Sequence, residues 1–169
     1  MRNCPQAKAC FSSRQYGEEC GVFGIALKEG STLSAAHSVY TALYTLQHRG
    51  QQTAGIASVD KGTFHLHKGP GLVPDVFGDK NLKTLTGPAA IGHVRYASGG
   101  DTATINAQPL VVTHASGSMA VCYNGRLVNS DELRRETENR GGIFQSSNSA
   151  EVIAYLLVRE RMRAGTIED

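Results

Sequence analysis

Apolar residues recur at three- and four-residue steps between positions 34 and 48, at Ala36, Val39, Tyr40, Leu43 and Leu46, which predicts a helix with one buried face. Gly50, just beyond, reads as its C-terminal stop. The remaining apolar runs are short. Residues 20–27 read as a strand, with a polar turn around Gly30 after it. Residues 54–59 and 63–67 flank Asp60-Lys61-Gly62, the pattern of a hairpin. Gly69-Pro70-Gly71 reads as a loop, and Val73 and Phe77 are spaced for one helical turn. Residues 89–96 read as a buried strand ending in Ser98-Gly99-Gly100. Residues 110–113 and 119–123 read as two more strands, joined by His114-Ala115-Ser116-Gly117.

Two helices complete the pattern. Asn129 with Glu132 resembles a capping pair that opens a helix over residues 131–140, ended by Gly141-Gly142. Asn148 with Glu151 repeats the device, and the helix it opens places Val152, Tyr155, Leu156 and Arg159 on one face and runs to Ala164, with Gly165 as its cap. Residues 166–169 resemble the start of a further helix, so the chain is expected to stop within a domain. Strands outnumber helices and lie close together in sequence, which favours antiparallel pairing and an α+β class. Residues 1–19 show no hydrophobic periodicity and are expected to be a propeptide or flexible extension. Residues 20–169 are expected to form one domain.

Composition narrows the function. The chain has 169 residues, 40% hydrophobic and 19% charged, with a formal net charge of +2. Its basic residues are dispersed, so nucleic acid is not expected as a partner. It lacks an apolar run of the roughly 18 residues that span a membrane, and its N-terminus lacks the apolar core of a secretory signal. The spacing of Cys4, Cys10, Cys20 and Cys122 fits neither a zinc ribbon nor a disulfide scaffold. A reducing, cytoplasmic setting is expected. His65 and His67 share a strand face without a third ligand, so they read as surface residues rather than a metal site.

Chemistry points to Cys20, which stands beside Gly21 at the head of an apolar strand, an unusual place for a core cysteine. A neutral-pH thiol is only a few per cent thiolate and needs a base within reach. Cutting the chain before Cys20 would supply one, because the freed α-amino group has an ordinary pKa of about 7.7–8.0. The alternative is a small buried hydrophobe, which is how Cys122 reads. Asn124-Gly125 offers a side-chain amide and a backbone N–H suited to an oxyanion, or else an ordinary turn. Arg95, in a strand of small and apolar residues, calls for an anion, either an internal carboxylate or a substrate carboxylate held in two-point fashion. His93 beside it reads as a structural histidine. Arg49-Gly50 reads locally as a cationic last turn with a glycine cap.

Taken in order, Glu18-Glu19-Cys20-Gly21-Val22-Phe23-Gly24-Ile25, His48-Arg49-Gly50-Gln51, Gly92-His93-Val94-Arg95-Tyr96 and Tyr123-Asn124-Gly125 closely resemble the N-terminal glutaminase domains of the amidophosphoribosyltransferases. The resemblance covers nearly all of residues 18–169. It implies an N-terminal-nucleophile hydrolase fold, a four-layer αββα sandwich, incomplete at its C-terminus. It implies glutamine hydrolysis through a Cys20 thioester, with Asn124 and Gly125 as the oxyanion hole and Arg95 on the glutamine carboxylate. Arg49 and Gly50 would belong to the glutamine site. The ammonia would pass to phosphoribosyl pyrophosphate, forming 5-phosphoribosylamine for purine synthesis. No cofactor is expected in this chain; Mg2+ would serve only a phosphoribosyltransferase domain that the sequence does not contain. Relatives form homo-oligomers.

One departure touches the substrate. Where the family reads Ser-Ser-Asp-Thr-Glu, this chain reads Ser147-Asn148-Ser149-Ala150-Glu151, so Ser149 takes the place of the aspartate that pairs with the glutamine α-ammonium. A second reading follows, in which the chain is a truncated or degenerate glutaminase-like fragment that only binds a partner.

Overall fold

A computed structural model describes residues 20–28, 30–96, 104–115, 117–125 and 127–164. The expected propeptide, the Ser98-Gly99-Gly100 strand end, Ser116, the Gly165 cap and residues 166–169 lie outside the described residues.

The helical period at residues 34–48 forms α1 (Ala35–Thr45), capped by the Ser34 hydroxyl, which accepts from the His37 N–H at 3.2 Å. Its Ala36, Val39 and Leu43 are fully buried. Residues 47–49 then tighten into a 3-10 turn. The helix rests on a four-stranded antiparallel sheet of order β1-β4-β2-β3, built from β1 (Gly21–Ala26), β2 (Thr53–Asp60), β3 (Thr63–Pro70) and β4 (Ala89–Arg95). Gly92 permits close contact, since a Cβ there would lie 2.4 Å from Val39 Cγ1 and 2.8 Å from Leu43 Cδ1. Ile56, directly opposite Gly92, joins the same core with Ala54, Ala90 and Val94. Each fully buried Val, Leu or Ile here contributes on the order of 1.5–3 kcal/mol.

The hairpin between β2 and β3 turns at Lys61 (φ 48) and Gly62 (φ 82), the two positive angles of a tight hairpin turn. β3 runs three residues further than its apolar pattern, to Pro70, because Pro70 pairs opposite Thr53. Gly69 and Pro70 are therefore strand, not loop. The expected helical turn is α2 (Val73–Val76), and the adjoining α3 (Asp79–Thr84) has no apolar period to announce it. His65 and His67 are half-buried; His67 Nε2 meets the Val76 carbonyl oxygen at 3.0 Å, and its ring packs edge-on against Phe77. His67 is thus a packing residue and not the surface residue expected.

The other face of the sheet, carrying Gly55 and His93, looks toward the segment before β5 (Leu110–His114), where a Cβ on Gly55 would lie 2.1 Å from the Gln108 carbonyl oxygen. β5 pairs antiparallel with β6 (Gly117–Val121), which ends two residues earlier than its apolar pattern. α4 (Ser130–Asn139) and α5 (Ser149–Ala164) follow, α5 packing on both α4 and β5. The class is α+β with antiparallel strands, as expected.

Three local readings change. Asn129 makes no side-chain cap on α4, so Asn129 and Glu132 are not a capping pair. The Glu151 carboxylate does not return to Asn148; it accepts from Gln145 N (2.8 Å), Ser146 N (2.9 Å) and Ser146 Oγ (2.6 Å). Glu151 thus ties down the preceding loop, while Asn148 Oδ1 accepts from Ala150 N at 2.9 Å. The buried side of α5 is Ala150, Glu151, Val152 and Ala154, because α5 docks through its first turns.

Candidate active site

Cys20 stands one residue before β1, opposite the exit of β4. Its Sγ lies 3.4 Å from the Tyr96 N–H nitrogen, which donates to it, and 3.6 Å from the Tyr96 carbonyl oxygen, to which the thiol can donate. Its backbone carbonyl accepts from Arg49 Nε at 2.8 Å and from Asn124 Nδ2 at 3.4 Å. Three segments distant in sequence therefore converge on Cys20, which is itself half-buried. Cys20 also has φ 60, a left-handed angle that costs a non-glycine residue about 1–2 kcal/mol.

Arg49 reaches Cys20 from the 3-10 turn, and Gly50 sets how near that turn sits. A Cβ on Gly50 would fall 2.7 Å from Val94 C, Val94 O and Arg95 C, all backbone atoms that cannot swing aside. Its φ is −163, an extended angle open to any residue, so Gly50 is required by close approach and not as a left-handed helix cap. Gly50→Ala is expected to push the turn off β4 and lower stability by roughly 1–3 kcal/mol. Thermal unfolding measures the loss, and an unchanged midpoint would show that the turn absorbs the methyl.

Gln47, the first residue of the 3-10 turn, holds the same turn. Its Nε2 donates to the Gly50 carbonyl at 2.5 Å and its Oε1 accepts from Val73 N at 2.5 Å. No local signal marks it, because both partners are backbone groups set by the chain path.

Arg95 closes β4, half-buried and opposite Thr53. His93 is fully buried on the same strand face, and burial lowers its pKa to about 4; the nearby Tyr123 backbone opposes this and the Arg95 charge adds to it. The imidazole is neutral at pH 7. An unfolded histidine titrates near 6.5, so between that value and about 4 the unfolded chain binds a proton that the folded chain refuses. The stability His93 confers is complete above pH 6.5 and falls as pH drops toward 4, by roughly 3 kcal/mol in all. Difference curves of unfolding free energy between wild type and His93→Gln from pH 7 to 4 should show wild type losing more; parallel curves would contradict this.

Asn124 follows β6 after Cys122 and Tyr123. Gln108, buried before β5, holds Tyr123 by both backbone groups, accepting from its N–H at 2.6 Å and donating to its carbonyl at 3.1 Å. Burial pushes the Cys122 thiol up to about 12, with the Lys68 charge opposing, so Cys122 is unreactive beside Cys20. Gly125 packs against the Tyr123 ring, where a Cβ would approach to 2.9 Å.

Ser149 is placed differently. It opens α5, and its hydroxyl meets Ser130 Oγ at 3.2 Å rather than any group around Cys20. Its neighbours tie α5 to the segment carrying Gln108: Asn148 Nδ2 donates to Asn106 O, and Asn106 Nδ2 to Ser147 Oγ, each at 2.9 Å. A cavity of about 520 Å³ lies between Leu66 and Lys68 of β3, β5 and α5, and none of the site residues lines it. Among the described residues no three His, Cys, Asp or Glu side chains are grouped to hold a metal ion, and no helix is long and apolar enough to cross a membrane.

The glutamine amidotransferase domain family matches residues 76–163. The chain is 51% identical over 144 residues to an amidophosphoribosyltransferase of Methanocaldococcus jannaschii, covering 85% of this chain and 30% of that protein. It is 42% identical over 144 residues to an amidophosphoribosyltransferase of Lacticaseibacillus casei, of which it covers 72%. A solved structure described as the allosteric regulatory enzyme of purine biosynthesis superposes with a TM-score of 0.74 at 44% identity, over 82% of this chain and 29% of that one. The architecture is that of the N-terminal-nucleophile hydrolases. The chain spans about 30% of the length of the first curated relatives it matches.

Proposed function

Since this chain belongs to the glutamine amidotransferase domain family, among the amidophosphoribosyltransferases, we propose that it hydrolyses glutamine at Cys20 and supplies the ammonia for 5-phosphoribosylamine. The observation that carries this reading is the convergence of Arg49, Tyr96 and Asn124 on Cys20.

In the form that begins at Cys20, the α-amine takes the thiol proton and Sγ attacks the side-chain amide carbon of glutamine. The carbonyl oxygen becomes an oxyanion, for which the Asn124 side-chain amide and the Gly125 N–H are the donors. The α-ammonium returns its proton to the leaving nitrogen, the carbon–nitrogen bond breaks, and ammonia departs from a glutamyl thioester. Water, deprotonated by the same amine, adds to the thioester, and glutamate leaves as the thiol is restored. The Tyr96 N–H, already directed at Sγ, favours the thiolate. Arg95 pairs with the glutamine α-carboxylate, while Arg49 and Gly50 hold the chain terminus in line.

Residues 1–19 act as a propeptide and residues 20–169 as the glutaminase unit. Phosphoribosyl pyrophosphate receives the ammonia on a phosphoribosyltransferase domain, where Mg2+ is needed, and the assembly is a cytoplasmic homo-oligomer. A thiol-alkylating diazoketone analogue of glutamine tests the site. One adduct on Cys20, blocked by excess glutamine and without labelling of Cys122, is the expected result. Labelling that glutamine does not block would overturn the reading.

A further inference from the structure

β6 leaves its ladder at Val121, opposite Leu110, so Tyr123 lies past the last strand pair. The Gln108 side chain stands where a neighbouring strand would be. It engages the N–H and the carbonyl of Tyr123 together, the same exchange that two facing residues of an antiparallel pair make. Gln108 is only 5% exposed, so water competes little for this pair.

The base of the clamp is itself held. The Gln108 carbonyl lies against Gly55, where no side chain fits. Lys68 Nζ donates to the carbonyls on either side, Ala107 at 2.6 Å and Pro109 at 3.3 Å. Burial lowers the Lys68 pKa, yet both acceptors are satisfied by it. Asn148, just before α5, anchors the Asn106 carbonyl. The clamp thus transmits the position of the four-stranded sheet to Tyr123, and Asn124 is the next residue.

We infer that Gln108 is a positioning residue, setting the Asn124 amide at Cys20 by gripping the backbone of Tyr123; its catalytic consequence rests on the reading of Asn124 as an oxyanion donor. Adjacent Cα atoms are fixed about 3.8 Å apart, so a shift of Tyr123 passes on to Asn124. A displacement of about 1 Å at such a donor costs up to about 100-fold in rate.

The test uses the full chain processed to begin at Cys20. Gln108→Met keeps length and loses both hydrogen bonds, whereas Gln108→Glu keeps the acceptor for Tyr123 N and loses the donor. Backbone amide exchange at Tyr123 should rise about tenfold or more in Gln108→Met and less in Gln108→Glu. Glutamine turnover should lose about 10–100-fold in kcat with KM held within about threefold. In an Asn124→Ala background, Gln108→Met should cost nothing further, because a residue acting through Asn124 has no separate effect. Unchanged exchange at Tyr123, or losses that multiply in the double variant, would overturn the inference. Wild type without any glutamine turnover would remove the proposed function instead, leaving the clamp to be judged by exchange. If Gln108→Met does not fold, Gln108→Leu, which also loses both hydrogen bonds, is held to the same criteria.

Discussion

A chain that retains residues 1–19 is expected to show no glutamine hydrolysis above background, while the same chain beginning at Cys20 turns over. The reason is the base. The carbonyl and the N–H of Tyr96, which meet Sγ, cannot accept and return a proton in the reaction. Arg49 and Asn124, which reach the Cys20 carbonyl, are donors toward it and are not bases at neutral pH. His93 is neutral but fully buried, on the sheet face with Gly55 that looks toward the segment before β5. In the proposed mechanism the α-amine of Cys20 is the base, and a peptide nitrogen cannot replace it. Removal of residue 19 also abolishes the φ angle that strains Cys20. Cys20→Ala in the trimmed chain should lower kcat by roughly 10⁴–10⁶-fold, the range typical of a lost covalent nucleophile. Intact mass with steady-state kinetics on matched preparations decides it. Equal turnover by trimmed and untrimmed chains would remove the N-terminal mechanism.

Ser149→Asp is expected to tighten glutamine binding by about 30–4,000-fold, corresponding to the 2–5 kcal/mol that a desolvated charge typically loses with its partner. The family places an aspartate here against the substrate α-ammonium, and a serine hydroxyl has only a neutral oxygen to offer. The structure sharpens the argument. Ser149 is the first residue of α5, so the positive end of the helix faces whatever binds there, which disfavours an ammonium unless an anion intervenes. The Ser149 hydroxyl is already committed to Ser130. Asn148 does not offer a neutral substitute, because its side chain holds Ala150 N and Asn106 O. Glu151 is occupied by Gln145 and Ser146. An aspartate at the start of α5 should also stabilise the helix by about 0.3–1 kcal/mol. KM for glutamine and the unfolding midpoint measured on one variant separate the two effects. A higher midpoint with unchanged KM would show that Ser149 was never the deficit.

The elements that follow from local pattern were legible in the residues alone. The three- and four-step spacing of Ala36, Val39 and Leu43 defines α1, and Lys61-Gly62 defines the hairpin, because periodicity and φ preference are properties of a few adjacent residues. The order of the Cys20, Arg49, Arg95 and Asn124 motifs also carried the family. The sequence does not reveal the close approach at Gly50, the loop tie made by Glu151, or the backbone bonds of Gln47 and Gln108. Gly50 has an ordinary φ, and only the passage of β4 at 2.7 Å explains it. The two glutamines bind backbone groups left over by turns and by the end of β6. Which groups are left over is decided by the ladder as a whole. Cys20 meets Arg49, Tyr96 and Asn124 across separations of 29, 76 and 104 residues. No local preference reaches that far; the pairing of β1 with β4, and the grip of Gln108 beyond β6, bring them together.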